Sequence, residues 1–168
     1  NTGRPFVMYD LAFAGYGGQD GKDGVEALSP VMNCTNIPVE VHETHTPIRV
    51  RRLEFIPDSG GPGKYRGGLG QEISMESRSD NPIAVSFLAE RSVYPAFGIQ
   101  GGQAGTTGVL AINGAPTDPK RQYVLDHGDT VGLTTPGGGG HGNPAERDRD
   151  TVQSDIDEGY VTDPKAYD

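Results

Sequence analysis

Cysteine is nearly absent from this chain: Cys34 is the single one among 168 residues. No internal disulfide framework can form, and a reducing, cytoplasmic setting is expected. Cations are also scarce, with 14 Lys and Arg against 23 Asp and Glu, for a net charge of −9. Phosphate binding needs a basic surface, so nucleic acid is excluded as a partner, and an anionic membrane surface with it. No apolar run approaches the length of a membrane span, and no signal peptide is visible. Hydrophobic residues make up only 33% of the chain. The sequence opens on Asn1-Thr2-Gly3 without an initiator methionine, which predicts a fragment or a processed piece.

What stands in place of these residues is glycine and proline, 39 of 168 together. That share approaches the range of disordered chains. Here the glycines cluster between apolar runs, which predicts one loop-rich folded domain. The densest cluster is Gly137-Gly138-Gly139-Gly140-His141-Gly142. Glycine gives up more backbone entropy on folding than any other residue, so such a run belongs where the chain takes positive φ or passes very close to something else.

Along the chain, strands are predicted at residues 6–13, 39–43, 48–56, 71–78, 83–90, 109–112, 123–125 and 130–134, from β-branched and alternating apolar residues. Residues 25–32 read as a short helical turn. Ser79-Asp80-Asn81-Pro82 predicts a turn pairing the two strands around it, and Asn113-Gly114 a hairpin. Residues 15–24, 57–70 and 92–108 read as glycine-rich loops. Asn143 is placed to cap a helical piece with Pro144 at its first position. Asp150 is placed to cap a second, with Val152 and Ile156 on one face and Gly159 ending it. The expected fold class is mainly β (α+β): a glycine-rich β-sheet body over residues 1–142 with a short helical tail over 143–168.

The candidate chemistry is sparse. Asp58-Ser59-Gly60-Gly61-Pro62 superficially resembles a serine-nucleophile loop, but none of the four histidines sits in the context a triad needs. A turn with Asp58 bonded to backbone amides explains it better. His42 and His45 lie three apart on a predicted strand, hence on opposite faces, which argues against a shared metal. Glu40 and Glu43 fall on opposite faces too, so Glu40 is kept as a candidate to face a site while its neighbour pairs with an arginine. The glycine run satisfies G-x-G-x-x-G, but no strand with an acidic end follows it, and no Lys-Ser or Lys-Thr completes a P-loop. Two readings remain for it. Amides of Gly138, Gly139 and Gly140 bind an anion or a developing oxyanion, or the run marks a tight crossing where only glycine fits, which is the preferred reading. Arg66 between glycines and Arg91 before a glycine-rich loop are suited to bidentate contacts with carboxylate or phosphate, or to tying loops together. His141 completes the weak catalytic candidates Glu40, Arg66, Arg91 and His141. Cys34 has no basic neighbour to activate it.

The segments taken together carry a resemblance. They are Asn33-Cys34-Thr35-Asn36-Ile37-Pro38-Val39-Glu40-Val41-His42-Glu43, then Pro57-Asp58-Ser59-Gly60-Gly61-Pro62-Gly63-Lys64-Tyr65-Arg66-Gly67-Gly68-Leu69-Gly70. Next come Glu90-Arg91, Phe97-Gly98-Ile99-Gln100-Gly101-Gly102, Gly128-Asp129 and the run ending Gly142-Asn143-Pro144. In order and spacing this series resembles the C-terminal part of the hydantoinase B/oxoprolinase family, over essentially the whole chain. Two places depart from that pattern. His141 and Asn143 stand where relatives carry an aromatic residue and an aspartate, and Tyr16 stands where relatives often carry tryptophan.

The resemblance implies a B-type subunit of an enzyme that opens cyclic amides such as 5-oxoproline, hydantoins or lactams. An ATP-using A-type subunit is implied as partner, hence a hetero-oligomer that also holds the remainder of the B-type polypeptide. Acetone and acetophenone carboxylases share the two-part design and form the alternative, alongside a non-catalytic assembly region. A divalent metal is implied in the N-terminal portion of the B-type polypeptide. No metal, ATP or other cofactor is expected on this piece, which alone is expected to be inactive.

Overall fold

The computed structural model describes residues 6–29, 34 and 36–168. The strands are β1 (Ile48–Phe55), β2 (Gln71–Ser77), β3 (Ile83–Ser86), β4 (Val109–Ile112), β5 (Ala115–Pro116), β6 (Gln122–Leu125) and β7 (Thr130–Thr134). Five of them form one antiparallel sheet in the order β1-β2-β7-β4-β5. Its register runs from Ile48 opposite Ser77 to Phe55 opposite Gln71, and from Glu72 opposite Thr134 to Glu76 opposite Thr130. A bulge between Val50 and Arg52 bends β1, the edge strand. Asn113 and Gly114 both take positive φ, 51° and 76°, which is what a two-residue hairpin requires to match strand twist. They join β4 to β5 as the sequence predicts.

Three expectations about strands are corrected. β2 does not pair with β3: both edges of β2 are taken, by β1 and β7, and β3 forms a separate two-stranded sheet with β6. Residues 6–13 form no ladder. Phe13 is buried there, and its carbonyl accepts from Gln71 Nε2 and Thr135 Oγ1, so the segment is pinned by side chains. The predicted strand 39–43 is instead part of helix α1 (Val39–His45). Pro38 occupies its N-cap position, Glu40 lies in its first turn and His42 and His45 in its last, a charge order that suits the helix dipole. The predicted turn at 25–32 lies partly outside the described residues.

The tail forms a short 3-10 turn (Pro144–Glu146), helix α2 (Arg149–Asp157) and a second 3-10 turn (Pro164–Tyr167). Asn143 Oδ1 accepts from Ala145 N–H at the first, as predicted. Asp148, not Asp150, caps α2, accepting from Thr151 N–H. Val152, Val161 and Tyr167 form the tail's buried apolar cluster, with Ile156 packed against it. Gly159, at φ 76°, ends the helix.

Between sheet and tail, the predicted glycine loops are not loose loops. Residues 14–18, 59–63, 66–70, 96–99, 102–106 and 136–140 run beside one another as non-helical segments outside any sheet. They are joined by bonds such as Gly15 N–H to Pro136 O, Gly18 N–H to Gly139 O, Gly61 N–H to Gly138 O and Gly138 N–H to Gly68 O. A β-strand has two hydrogen-bonded neighbours in one plane. Residues 136–140 bond to five segments, those at 15–18, 61, 68, 99 and 103. The bonds from Gly15 and Gly18 reach residues 136 and 139, three apart on both segments, which is the repeat of a polyproline-II helix.

This packing explains the glycine content. None of Gly137–Gly140 has positive φ. A β-carbon at Gly138 would lie 2.0 Å from Tyr16 O, at Gly139 2.1 Å from Phe97 O, and at Gly140 2.2 Å from Pro62 O. Backbone packed against backbone replaces part of the hydrophobic core that this sequence is short of.

Candidate functional site

A cleft of about 320 Å³ runs along one side of the glycine run. Pro136 to Gly140 form its floor, Gly15 to Gly18 one wall, Ala96, Phe97 and Ile99 the other, and Arg91 also lines it. Arg91 is exposed and held at φ 55°, with its carbonyl accepting from Gly108 N–H. Its guanidinium makes no hydrogen bond or ion pair among the described residues. Two of the three candidate amides on the floor are spent on backbone, Gly138 N–H on Gly68 O and Gly140 N–H on Gln103 O. The Gly139 N–H has no partner among the described residues.

The other candidates lie elsewhere. Glu40 is exposed on α1. His141 is buried at the end of the glycine run, exchanging backbone bonds with Tyr65 and stacked at a tilt on its ring at 6.0 Å. Its Nδ1 is buried without a hydrogen-bond partner among the described residues. Among the described residues no hydrogen bond or ion pair joins any two of Glu40, Arg66, Arg91 and His141. Ser59 is fully buried, donating to Ile56 O and accepting from Gly70 N–H, so it is not presented as a nucleophile. Asp58 accepts from the Thr162 amide and hydroxyl, a tie between loop and tail.

Arg66 belongs to a buried charge cluster. Its Nε and Nη2 reach the two Asp155 oxygens at 3.4 Å, Nη2 also donates to Glu26 at 3.0 Å, and Nη1 to Gly67 O. Arg147 clamps Asp23 with two bonds of 2.7 Å and donates to Asp155 at 2.7 Å. The Tyr160 ring covers Arg66 and the Tyr167 ring covers Arg147. Burial works against the Asp23 carboxylate, but the bonds and charge of Arg147, with the Arg66 amide, hold its pKa below the ordinary value. Burial likewise opposes the charge on Arg66 and Arg147, and their carboxylate partners more than compensate, so both are raised. The Tyr167 phenol is pushed up to about 12, chiefly by burial. Sequence reasoning missed Asp23, Glu26, Arg147 and Asp155. Asp23 and Arg147 lie 124 positions apart, and no local pattern joins them.

Among the described residues no group of three or more His, Cys, Asp or Glu is placed to hold a metal ion. The one dense carboxylate cluster is engaged by two arginines, and His42 pairs with Asp10 at 3.5 Å while His45 is exposed. A resident divalent metal does not fit this donor set. No helix among the described residues is long and apolar enough to cross a membrane.

The hydantoinase B/oxoprolinase family model matches residues 1–144. The chain belongs to the hydantoinase B/oxoprolinase family. Within it, the B-type subunit of a putative D-/L-hydantoinase from Pseudomonas sp. (strain NS671) is 36% identical over 169 residues, covering 96% of this chain and 28% of the relative. Among solved structures, the ATP-dependent caprolactamase from Pseudomonas jessenii superposes with a TM-score of 0.73 at 26% identity, over 90% of this chain and 28% of the other. The nucleotide-free structure of acetone carboxylase gives 0.74 at 22%, over 92% and 26%, a likeness of fold. This hydantoinase B/oxoprolinase chain therefore spans little more than a quarter of these relatives.

Proposed function

We propose that this chain is the C-terminal part of the B-type subunit of an ATP-dependent cyclic amidohydrolase, one that opens 5-oxoproline, hydantoin or lactam rings. The observation that carries this reading is the 36% identity with the B-type polypeptide of a putative hydantoinase across 96% of the chain. The likeness to an ATP-dependent caprolactamase, itself named for a lactam, supports it.

Within such a subunit the chain acts as scaffold. General acid–base or nucleophilic work needs partners within hydrogen-bond reach. Here Arg66 is consumed by Asp155 and Glu26, His141 is buried among backbone, and Glu40 lies exposed on α1. ATP is handled by an A-type partner and the divalent metal by another part of the B-type polypeptide, giving a hetero-oligomer that works in the cytoplasm. Arg91 is the candidate whose charge stays available, at the cleft.

The test is product identification. The full-length B-type subunit with its A-type partner and ATP is incubated with 5-oxoproline, a hydantoin and a lactam, and ring-opened acid is sought by mass spectrometry. Ring-opened product from at least one is expected. None from any, with the complex assembled, contradicts the reading. The fold likeness to acetone carboxylase sustains one second reading, an acetone/acetophenone-type carboxylase subunit.

A further inference from the structure

The glycine bundle is built as a ring of segments around residues 136–140, and among the described residues the ring is incomplete. Its members can be ordered by the bonds between neighbours. Residues 14–18 join 66–68 through Gly68 N–H to Tyr16 O. Residues 66–68 join 59–63 through Gly67 N–H to Gly61 O. Residues 59–63 join 102–106 through Gln103 N–H to Pro62 O and Thr106 N–H to Ser59 O. Residues 102–106 join 96–99 through Gly105 N–H to Ala96 O. Between 96–99 and 14–18 no backbone hydrogen bond closes the ring among the described residues, and the cleft lies there. Six equal rods pack around a seventh; five are present among the described residues.

The hydrogen bonds of the central segment agree. With three residues per turn, N–H and C=O directions repeat every third residue. Gly138 donates to Gly68 and accepts from Gly61, two adjacent members. Gly140 donates to Gln103 and accepts from Ile99, the next two. Pro136 and Gly139 both accept from the 15–18 segment. The remaining direction, between that segment and residues 96–99, falls to the Gly139 N–H, which with the Gly137 N–H is one of two floor amides without a backbone partner among the described residues. Pro136, in the same phase, has no N–H to leave unpaired.

We infer that the cleft is the vacant sixth chain position of a polyproline-II bundle, filled by an extended glycine- and proline-rich segment from elsewhere in the same subunit, one of whose carbonyls accepts from Gly139 N–H. The floor spans five residues, about 15 Å at polyproline-II rise. Phe97 and Ile99 on one wall and Tyr16 on the other expose apolar surface, the lining on which polyproline-II segments dock. The five present members all come from one chain. Relatives several times longer supply the length for a sixth. The inference rests on the reading of this chain as part of a longer B-type subunit.

A photocrosslinker tests it. Phe97 is 76% exposed, so p-benzoylphenylalanine at that position in the full-length subunit reports what lies in the cleft, without ATP or substrate. The expected result is a crosslink to one glycine- and proline-rich peptide of the same polypeptide, outside these 168 residues. A β-carbon at Gly17 would meet Gly139 O only at 3.7 Å, so Gly17→Leu projects into the cleft without disturbing the bundle and should reduce that crosslink at least about fivefold, since overpacking a filled site is disfavoured. A crosslink to the A-type partner or to a second copy, no crosslink, or one suppressed only by a cyclic amide overturns the inference. If Gly17→Leu folds poorly, the Phe97 crosslink in the otherwise unaltered subunit decides alone. Hydrolase and carboxylase alike would give the expected crosslink, so its failure is separable from failure of the proposed activity.

Discussion

A β-carbon decides the residue scale. Gly139→Ala would put one 2.1 Å from a carbonyl oxygen, whereas Gly17→Ala meets nothing nearer than 3.7 Å. The first is expected to destabilise by at least about 1–3 kcal/mol, the usual cost of overpacking. The second is expected to stay within about 0.5 kcal/mol, or to stabilise by stiffening the unfolded chain. Urea unfolding of the two variants measures the difference, and equal midpoints would mean the segments are not in contact. The two readings of the glycine run, anion cradle and tight crossing, both need glycine, so composition alone leaves them open. Which one holds at each residue depends on neighbours far away along the chain, such as Tyr16, Pro62 and Phe97. The turn at Asn113-Gly114 was legible because its signal is contained in two adjacent residues.

At the scale of elements, the tail is fastened by charge. Arg147 and Arg66 are buried, and Asp23, Glu26 and Asp155 answer them from two parts of the chain. Removing one partner of a buried pair leaves an uncompensated charge. Arg147→Ala is therefore expected to cost about 3–5 kcal/mol, while Arg147→Lys should recover only part because it cannot clamp Asp23 with two bonds. Chemical denaturation checks both. The Asp23 carboxyl titrates lower in the fold than its ordinary value near 3.9. Its contribution is thus present above that value and lost as pH falls through its folded pKa. The denaturation midpoint should drop below about pH 4, and Asp23→Asn should flatten that drop. Tyr167 acts at the other end. Raised to about 12, it gives stability that is present below its ordinary value near 10 and lost as pH rises through its folded one. Strands β1, β2, β4 and β7 of the main sheet were legible from apolar and β-branched runs. Helix α1 was not, because Val39-Glu40-Val41-His42-Glu43 alternates like a strand and the next residues extend it as a helix. The pairing of β3 was misplaced because a turn signal says that the chain reverses, not which strand it then meets.

For the molecule as a whole, the surface is unfinished. Val7, Tyr9, Leu88, Val93, Tyr94, Phe97 and Val124 are each more than 60% exposed, more large apolar side chains than isolated surface positions explain. The 168-residue chain alone is expected to bind a hydrophobic dye and to self-associate in light scattering, and the full-length subunit to do neither. Equal dye binding by both would show that this surface stays open in the subunit. Family membership was legible in the order of the motifs, whereas site residues were not, since Arg66 is consumed by Asp155 and Glu26, partners distant in the chain that no local pattern joins to it. The central claim, a B-type subunit of an ATP-dependent cyclic amidohydrolase, is tested most directly by phosphate release from the assembled full-length complex, with lactams, hydantoins and ketones, with and without bicarbonate. Release that follows a cyclic amide and is indifferent to bicarbonate is predicted. Release that requires both a ketone and bicarbonate would contradict the claim and place the chain in a carboxylase.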